Sequence, residues 1–375
     1  MKTILIILGT RPEAIKLAPV ILQLKKYPQK YRVLVCNTEQ QKELSNQTLS
    51  FFNIKADINL DMMRPNQTLP DVQARLLNAL DDVFKTHTPD CAIVQGDTMT
   101  VFCGALTSFY HKVPVCHVEA GLRSYDLFEP FPEEALRQMT TRITDYHCAP
   151  TQKAYDALSA ENISADKIYL TGNTVVDALN CLPNDTIFEA ENILSEKGIV
   201  LNDKLVLCTV HRRENHGDRL NDILAAVWAL SSAYPDHQFV LPVHPNPNVK
   251  DKVYAELSGR DNIILTNPLD YPQLVCLMRY AKLILTDSGG IQEEAPSFGV
   301  PVLVMRYETE RMEGVEAGFA KLVGADTKKI ISSARKILSE NKTKTRLNGR
   351  LNPYGDGTAA QQIEAILSQN LVDRQ

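Results

Sequence analysis

The sequence predicts an α/β protein with two Rossmann-like domains, whose parallel sheets face each other across a cleft. Short apolar runs alternate with helical patterns along the whole chain, and this alternation is typical of parallel sheets with helices on both faces. The alternation starts again near residue 200. A chain of 375 residues is also too long for one typical domain and fits two.

In the first half, six apolar runs are predicted strands of a sheet that is covered on both faces. They span residues 3–8, 32–36, 90–94, 113–118, 146–149 and 167–170. Between them, apolar residues at helical spacing predict helices over 12–26, 71–86, 99–111 and 132–145. We assign residues 1–170 to this N-terminal domain.

In the second half, the predicted strands span residues 204–210, 237–243, 262–266, 282–286 and 301–305. The predicted helices span residues 219–233, 272–280 and 289–298. A helical stretch over 173–198 contains a Pro183-Asn184-Asp185 breaker, so we place the boundary within 170–200 and assign 171–356 to the C-terminal domain. A last helical pattern, 357–370, follows a turn-rich stretch. We expect the C-terminal helix, 357–375, to rejoin the first domain.

Composition excludes several classes of protein. The net charge of −5 and the absence of a basic run argue against a nucleic-acid partner. The longest apolar runs are far shorter than the ~20 residues that cross a bilayer, so we expect no membrane segment. The cysteines form no Cys-x-x-Cys pair, and Cys36, Cys91, Cys116 and Cys208 lie in or beside apolar runs. They indicate buried, reduced thiols in a cytoplasmic protein, and no cluster has metal-site spacing.

The most informative stretch is Leu-Thr-Asp-Ser-Gly-Gly-Ile-Gln-Glu-Glu-Ala at 285–295. An apolar strand ends there, and Ser288, Gly289 and Gly290 open a helix. Free backbone N–H groups at a helix start attract phosphate, and glycines let a bulky anion approach the backbone. Glu293 and Glu294 follow on the first turns, where a carboxylate can accept hydrogen bonds from a ribose. Many strand–helix turns with glycines bind nothing, so this signal needs support from elsewhere in the chain.

The N-terminus supplies a second strand–turn–helix. The apolar run Thr3–Leu8 is followed by Gly9-Thr10-Arg11-Pro12-Glu13, with the proline at an early helical position where its missing N–H does no harm. Arg11 lies at the carboxyl end of a strand, which is where ligands bind in open α/β sheets, and Lys16 lies nearby. The alternative is two solvated cations on an amphipathic helix.

Three carboxylates lie at the ends of predicted strands or starts of helices: Asp97, Glu119 and Glu133. Each has a structural alternative. Asp97 could cap the following helix, Glu119 could pair with Arg123, and Glu133 could be a first-turn charge. Together, neighbouring carboxylates push their pKa values apart, which allows an acid and a base to coexist near neutral pH. We expect His117 to have a structural role and not a functional one.

A cationic cluster follows the predicted strand at 204–210. A surface helix rarely places His211, Arg212 and Arg213 directly after a buried strand, so an anionic ligand suits them better than solvent. His244 follows the next strand in Pro-Val-His-Pro-Asn, where a buried core histidine is an equal alternative. Arg311 could reach the same anion, or be held by Glu308, Glu310 and Glu313.

The sum is a cleft with phosphate donors on one side and carboxylates on the other, which suits a nucleotide diphosphate whose other end undergoes acid/base chemistry. Absences narrow the choice further. No Gly-x-Gly-x-x-Gly follows a strand, so a nicotinamide cofactor is not indicated, and no Gly-x-x-x-x-Gly-Lys-Ser/Thr loop indicates ATP hydrolysis. We therefore expect no cofactor and no metal.

The ordered motifs together resemble the non-hydrolysing UDP-N-acetylglucosamine 2-epimerases over nearly the whole chain. The matching stretches are Gly9–Lys16, Gly96–Thr98, His117–Arg123, Pro132–Glu134, Thr171–Thr174, His211–Asn215, Pro242–Asn246, Asp287–Pro296 and Asn352–Gly355. The resemblance implies a GT-B type fold and interconversion of UDP-N-acetylglucosamine and UDP-N-acetylmannosamine. It further implies elimination of UDP to 2-acetamidoglucal and re-addition, a homodimer, and a precursor supply for bacterial surface polysaccharide.

By position, the resemblance implies that Asp97, Glu119 and Glu133 are the acid/base carboxylates, without showing which removes the proton. It implies that His211 stabilises the UDP leaving group with Arg11, Lys16 and Arg311. The remaining implied substrate-binding residues are Arg213, His244, Ser288, Gly289, Gly290 and Glu294, with the diphosphate on the Ser-Gly-Gly turn and the ribose on Glu294.

The chain departs from the family pattern at four places. Leu136 stands where an asparagine usually precedes the arginine of Pro-Glu-Glu-x-Asn-Arg, and Met312 replaces the proline of Thr-Glu-Arg-Pro. Leu274 takes the place of an aromatic residue that often stacks on uracil. The usual Gln-His-Arg-Glu is here Gln40-Gln41-Lys42-Glu43, so allosteric regulation by UDP-N-acetylglucosamine stays open, as does a changed sugar such as a 6-deoxy analogue.

Three alternatives share the same phosphate-binding motifs. A hydrolysing relative would release free N-acetylmannosamine and UDP. A GT-B glycosyltransferase would need an acceptor. A non-catalytic nucleotide-sugar sensor would bind UDP without turnover and tolerate Asp97→Asn.

Overall fold

A computed structural model describes residues 1–64, 67–339 and 352–371, and it divides the chain into two compact units. Unit 1 is Met1–Cys181 with Tyr354–Gln375, and unit 2 is Leu182–Pro353. Both are α/β units with parallel sheets, as the sequence predicts. Within the described ranges no helix is long and apolar enough to cross a membrane.

The described residues of unit 1 form a parallel sheet of seven strands in the order β3-β2-β1-β4-β5-β6-β7. The strands are β1 (Lys2–Leu8), β2 (Tyr31–Asn37), β3 (Ile58–Asn59), β4 (Cys91–Gln95), β5 (Val115–Val118), β6 (Tyr146–Ala149) and β7 (Ile168–Leu170). The helices are α1 (Arg11–Lys25), α2 (Lys42–Phe51), α3 (Leu69–His87), α4 (Met99–Tyr110), α5 (Glu133–Arg142), α6 (Gln152–Ala160) and α7 (Thr174–Cys181).

In unit 2 the described residues form a parallel sheet of six strands in the order β10-β9-β8-β11-β12-β13. The strands are β8 (Leu205–Thr209), β9 (Gln238–Pro242), β10 (Ile263–Thr266), β11 (Leu283–Thr286), β12 (Val302–Val304) and β13 (Ala320–Leu322). The helices are α8 (Asn184–Glu196), α9 (Asp218–Ala233), α10 (Pro247–Leu257), α11 (Tyr271–Tyr280), α12 (Gly289–Glu294), α13 (Met312–Glu316) and α14 (Thr327–Leu338), and α15 (Ala359–Asn370) returns to unit 1.

Both orders reverse direction beside the first strand of the unit. In unit 1 the chain runs outwards through β1, β2 and β3, then returns to place β4 on the other side of β1. In unit 2 the same happens at β8, with β11 on its other side. Such a switch point leaves a crevice outside the carboxyl ends of the two central strands, which is the usual ligand site of this architecture.

The apolar runs form the cores because they are buried on both faces. Ile4, Leu5, Ile6, Ile7 and Leu8 are all fully buried, as expected for a central strand between two layers of helices. In unit 2 the run Leu205–Cys208 behaves in the same way. The four cysteines predicted as buried thiols are buried and unbridged, and all eight cysteines are free.

The division between the units, after Cys181, lies within the predicted range of 170–200 but beyond the assigned end of the first domain at residue 170. Helix α7 packs on α1 and on α15, so unit 1 extends to Cys181. Asp177 of α7 accepts hydrogen bonds from the backbone N–H groups of Ala359 and Ala360 at 3.3 and 2.9 Å, which ties the start of α15 to unit 1. Residues 372–375 of the predicted C-terminal helix lie outside the described residues.

The sequence missed the shortest strands. β3 pairs only two residues with β2, which is too short for a periodicity, and β13 (Ala-Lys-Leu) pairs three with β12 but carries a lysine at its centre and so has no continuous apolar run. The predicted helix over 289–298 is α12 followed by a 3₁₀ turn, Ala295–Phe298, because Pro296 has no N–H to continue the α-helical ladder.

Candidate active site

The carboxyl edge of the unit 1 sheet brings together the turns that follow β1, β4 and β5. These strands are neighbours in the sheet, and all run parallel. Arg11 begins the helix after β1, Asp97 follows β4, and Glu119 follows β5. The sequence prediction that these residues lie at strand ends is therefore correct.

Asp97 forms an ion pair with Arg137 of α5. The guanidinium Nη2 donates to Asp97 Oδ2 at 2.6 Å, and Nη1 lies 3.3 Å from Glu134 Oε2. The N-cap of α4 is Thr98, whose hydroxyl accepts from the Val101 N–H, so the alternative of Asp97 as the cap is wrong. The interaction that the structure shows for the Asp97 side chain is therefore the ion pair with Arg137.

Glu119 forms a buried ion pair with Lys16 of α1. Its backbone has a φ of 65°, in the left-handed region that a side chain rarely adopts, and such strain concentrates at functional sites. The structural alternative, a pair with Arg123, is wrong, because Arg123 Nε and Nη2 donate to Glu161 at 2.6 and 3.1 Å. The pairing partner of Glu119 is therefore a residue that the sequence assigned to the site.

His117 has a structural environment. Its Nε2 lies 2.7 Å from the carbonyl oxygen of Gly96, and burial lowers its pKa to about 4, so the ring is neutral near pH 7. The assignment of His117 to structure agrees with this geometry.

The two acids that open α5 have separate environments. Glu134 is fully buried and accepts hydrogen bonds from the Ser124 and Tyr125 N–H groups at 3.0 and 3.2 Å. Burial opposes its ionisation, but these bonds outweigh it and lower the pKa of Glu134. Glu133 is half-buried, and its side chain makes no hydrogen bond or ion pair with another described residue. The sequence did not foresee that Glu134 anchors the preceding loop.

In unit 2 a buried carboxylate that the sequence analysis missed organises the turn after β8. Asp287, at the end of β11, accepts hydrogen bonds from the backbone N–H groups of His211 and Arg212 at 3.1 and 2.9 Å and from Asn215 Nδ2 at 3.0 Å. Burial favours its neutral form, but these bonds and the His211 ring outweigh burial and lower the pKa of Asp287. Asp287 is therefore a carboxylate at neutral pH.

The His211 ring is held from two sides. Its Nδ1 lies 3.0 Å from Asp287 Oδ1, and its face stacks on His244 with 6.2 Å between ring centroids. His244 Nδ1 accepts from the Asn246 N–H at 3.3 Å, and burial followed by the nearby His211 lowers the pKa of His244. With Nδ1 on the carboxylate, the Nε2 of His211 is the ring nitrogen left to meet a ligand.

Two guanidinium groups flank Gly289 at the start of α12. A Cβ atom added there would lie 3.4 Å from Arg311 Nε and 3.5 Å from Arg212 Nη2. Gly290 is exposed, and a Cβ atom added there would lie 3.8 Å from Glu294 Oε1, an ordinary contact. The sequence prediction named Arg213, but that side chain is exposed and the cation beside the glycine is Arg212. Backbone N–H groups and two cations thus converge on one point, as an anion site requires.

A chain of ion pairs fixes Arg311. Its Nε donates to Glu293 at 2.9 Å, and its Nη1 lies 3.4 Å from Glu310. Glu310 binds Arg306 at 3.1 Å, and Arg306 Nε binds Glu214 at 2.5 Å. Arg306 and Arg311 outweigh burial and lower the pKa of Glu310 to about 2. The network links the turn that carries Arg212 to the turn that carries Arg311.

Ser288 and Glu294 complete the predicted set in unit 2. The Ser288 side chain does not cap α12, and its N–H donates to Thr286 Oγ1 at 3.0 Å. Glu294 is buried at the end of the same helix. Among the described residues no group of three or more His, Cys, Asp or Glu side chains is placed to hold a metal ion.

Comparison with known proteins agrees with this geometry. The family model described as UDP-N-acetylglucosamine 2-epimerase matches residues 23–368. The chain belongs to this family. The UDP-N-acetylglucosamine 2-epimerase of Neisseria meningitidis is 44% identical over 370 residues, which cover 98% of this chain and 99% of the relative.

Solved structures of the epimerase family place the fold in the GT-B class. The UDP-GlcNAc 2-epimerase of N. meningitidis, crystallised with UDP-GlcNAc, has a TM-score of 0.86 at 44% identity and covers 99% of this chain and 100% of its own. A glycosyltransferase of kitacinnamycin, with a TM-score of 0.63, 15% identity and coverage of 97% and 98%, shares the fold alone.

Proposed function

We propose that this protein interconverts UDP-N-acetylglucosamine and UDP-N-acetylmannosamine by eliminating UDP and adding it back, without hydrolysis. The observation that carries the proposal is the anion site of unit 2, where Gly289 lies between Arg212 and Arg311 beside the His211–Asp287 pair. Full-length similarity to epimerases, one of them crystallised with UDP-GlcNAc, supports the choice of ligand.

Unit 2 holds the nucleotide in this proposal. The diphosphate lies on the N–H groups of the Ser288-Gly289-Gly290 turn, between the guanidinium groups of Arg212 and Arg311, and Glu294 accepts hydrogen bonds from the ribose. His211 Nε2 donates to the departing diphosphate oxygen, while Asp287 keeps the ring oriented. His244 supports the ring, and Arg213 adds positive charge at the edge of the site.

Unit 1 supplies the acid and base. The hydrogen on carbon 2 of the sugar has no adjacent carbonyl and is not acidic, so its removal must accompany departure of a good leaving group. A carboxylate takes this proton, the C2–H electron pair forms the C1–C2 double bond, and UDP leaves with the electrons of the C1–O bond. Protonation on the opposite face and re-addition of UDP at C1 reverse the configuration, and no water is consumed.

The three carboxylates differ in their pairing. Asp97 is paired with Arg137 and Glu119 with Lys16. Glu133 has no such partner among the described residues. We assign the roles of acid and base to these three carboxylates together, and Arg11 and Lys16 offset the added charge of the substrate.

The remaining features of the proposal concern the setting of the enzyme. It works as a cytoplasmic homodimer without cofactor or metal and supplies an activated N-acetylmannosamine for bacterial surface polysaccharide. Exposed aromatic side chains in unit 1, among them Phe109, Tyr110, Phe128 and Phe131, offer apolar surface that a second copy would cover. Size-exclusion chromatography with light scattering tests the dimer.

The deciding experiment is turnover of UDP-N-acetylglucosamine in deuterated water, followed by proton NMR. We expect UDP-N-acetylmannosamine as product, with deuterium at carbon 2 of both sugars. Accumulation of free N-acetylmannosamine would identify a hydrolysing enzyme. If no deuterium enters the sugar without an added acceptor, a glycosyltransferase or a sensor is favoured. The same assay with the 6-deoxy analogue of the UDP-sugar tests the substrate, and faster labelling of that analogue would identify it as the preferred substrate.

A further inference from the structure

The carboxylate of Glu13 joins two turns at the carboxyl edge of the unit 1 sheet. Its Oε2 accepts hydrogen bonds from the backbone N–H groups of Gly9 and Thr10 at 2.6 and 3.0 Å. Its Oε1 accepts from the Thr98 hydroxyl at 2.5 Å. Strands β1 and β4 are neighbours, so one carboxylate bridges the turns that follow them.

Helix capping alone does not account for this arrangement. Thr10 and Glu13 form a capping box at the start of α1, and Thr68 and Asp71 form the same box at the start of α3. Asp71 is exposed, and its hydrogen bonds with Thr68 lower its pKa. Burial raises the pKa of Glu13 to about 7 against its three hydrogen bonds. A cap needs neither burial nor a bond to a second strand's turn.

The turn after β1 is already fixed on its other sides. A Cβ atom on Gly9 would lie 2.0 Å from Thr38 Oγ1, so the backbone packs directly on the next strand's end. Gln41 Oε1 accepts from the Arg11 N–H at 3.0 Å. Glu13 adds the connection in the remaining direction, towards β4.

We propose that Glu13 is a positioning residue, which holds the turn of Arg11 and the turn of Asp97 in a fixed relation without touching the substrate itself. The inference rests on the proposed function, in which Arg11 and Asp97 act on the same substrate. Catalytic groups must be held closely, since a misplacement of about 1 Å lowers a rate by roughly 10²-fold. Loss of the bridge should therefore lower kcat and leave binding of UDP unchanged.

The test measures turnover per UDP-binding site for Glu13→Gln, Thr98→Val, Thr98→Ser and the double variant Glu13→Gln/Thr98→Val. We expect Glu13→Gln and Thr98→Val each to lower kcat about 10-fold or more, with the Kd for UDP within about twofold of the wild type. Thr98→Ser keeps the hydroxyl and should keep most of the rate. The double variant should be no slower than the slower single variant, because both remove one bridge.

Two acids in unit 1 provide matched controls. Asp71→Asn weakens the exposed capping box of α3, and Asp177→Asn alters a buried carboxyl that accepts two backbone N–H groups and whose pKa burial also raises. Both should change thermal stability and leave turnover per UDP-binding site unchanged. They separate loss of a helix cap or a buried acid from loss of the bridge.

The outcomes distinguish the inference from the function on which it rests. A wild type that does not epimerise UDP-N-acetylglucosamine would overturn both. An active wild type with normal turnover in Glu13→Gln and Thr98→Val would overturn the positioning role alone, as would multiplicative losses in the double variant. If Glu13→Gln does not fold, equal rates in Thr98→Val and Thr98→Ser would contradict the bridge, because only Thr98→Ser keeps the hydroxyl that donates to Glu13.

Discussion

Two ion pairs of unit 2 and one of unit 1 have opposite polarity. In the unit 2 pairs His211–Asp287 and Arg311–Glu293 the acid is the deeper partner: the side chain of Asp287 is 0% exposed against 36% for His211, and that of Glu293 is 4% exposed against 22% for Arg311. In unit 1 the order is reversed at Asp97, which is 29% exposed while Arg137 is 12% exposed. At these pairs the more accessible partner is a cation in unit 2 and a carboxylate in unit 1.

This reversal teaches which chemistry each edge can perform. Buried carboxylates under accessible cations make a site for a diphosphate, since the cations stay oriented and charged when the ligand arrives. A guanidinium beneath a more accessible carboxylate, as at Arg137 and Asp97, leaves the carboxylate as the group that meets a ligand. Variants of the candidate carboxylates in unit 1 should then alter turnover, and variants of Arg212 and Arg311 in unit 2 should alter affinity for the nucleotide.

The largest effect is expected from the three candidate carboxylates of unit 1. Asp97→Asn, Glu119→Gln and Glu133→Gln should each lower kcat by about 10²–10⁴-fold, because each removes a group that transfers or stabilises a proton in the transition state. Affinity for UDP should stay nearly intact, because the proposed nucleotide site is in unit 2. Steady-state kinetics and calorimetric titration with UDP measure the two quantities. Normal rates in all three variants would show that the carboxylates are wrongly assigned.

A second prediction concerns how the free energy of unfolding changes with pH. The direction of this change follows from the raised pKa of Glu13. The pKa of this carboxyl is raised from 4.5 to about 7 in the folded protein, so between these pH values the folded state binds more protons than the unfolded state. The free energy of unfolding should fall as pH rises through this window, by about 3 kcal/mol from this group. Glu13→Gln should lose that part of the pH dependence.

Urea unfolding of both proteins at pH 4.5 and pH 7 measures it. The free energy of unfolding of Glu13→Gln, minus that of the wild type, should increase by about 3 kcal/mol from pH 4.5 to pH 7. The contributions of other titrating groups cancel in this difference. Asp71→Asn, which alters the exposed capping box, serves as control. A difference between Glu13→Gln and the wild type that does not change with pH would mean that folding does not shift the pKa of Glu13.

Strand-end position was enough to predict where most of the candidate site residues lie in the fold. Arg11, Asp97 and His211 follow apolar runs in the sequence, and parallel sheets bring such positions to one edge whatever the details of packing. The sequence could not show which of two adjacent residues in a turn faces the site. Arg212 faces Gly289 and Arg213 is exposed, but adjacent residues in a turn have no periodicity that would separate them.

Buried carboxylates were the second kind of residue that the sequence could not assign. Asp287 lies in a stretch that was interpreted as a phosphate-binding turn, and its partners, the N–H groups of His211 and Arg212, are 75 or more positions away in the chain. Glu13 reaches Thr98 over a separation of 85 residues. Such bonds depend on which strands are neighbours, and strand order is set by tertiary packing rather than by local pattern.

A moderate effect is expected from the cations of unit 2. Arg212→Ala and Arg311→Ala should each weaken UDP binding by about 10- to 100-fold, because each removes about 1.5–3 kcal/mol of charge-assisted hydrogen bonding to the diphosphate. Arg213→Ala is the matched control and should change the Kd much less, since its side chain is exposed and the guanidinium beside Gly289 belongs to Arg212. Calorimetric titration that gives equal losses for Arg212→Ala and Arg213→Ala would remove Arg212 from the site.

The smallest effect on UDP binding is expected from Gly289→Ala. Gly9 lies at a strand end of unit 1 and serves as the comparison. Gly9→Ala places a Cβ atom 2.0 Å from Thr38 Oγ1 and 2.9 Å from Thr100 Oγ1, so the backbone must shift, at a cost of about 1–3 kcal/mol in stability. Gly289→Ala meets the guanidinium atoms at no less than 3.4 Å, an ordinary contact, and should leave thermal stability nearly unchanged. Its added methyl group covers the approach to the backbone N–H groups and should weaken UDP binding only a few-fold. If Gly289→Ala instead lowers thermal stability as much as Gly9→Ala and leaves UDP binding unchanged, that turn is packed for structure, and the difference between the two sheet edges does not extend to their glycines.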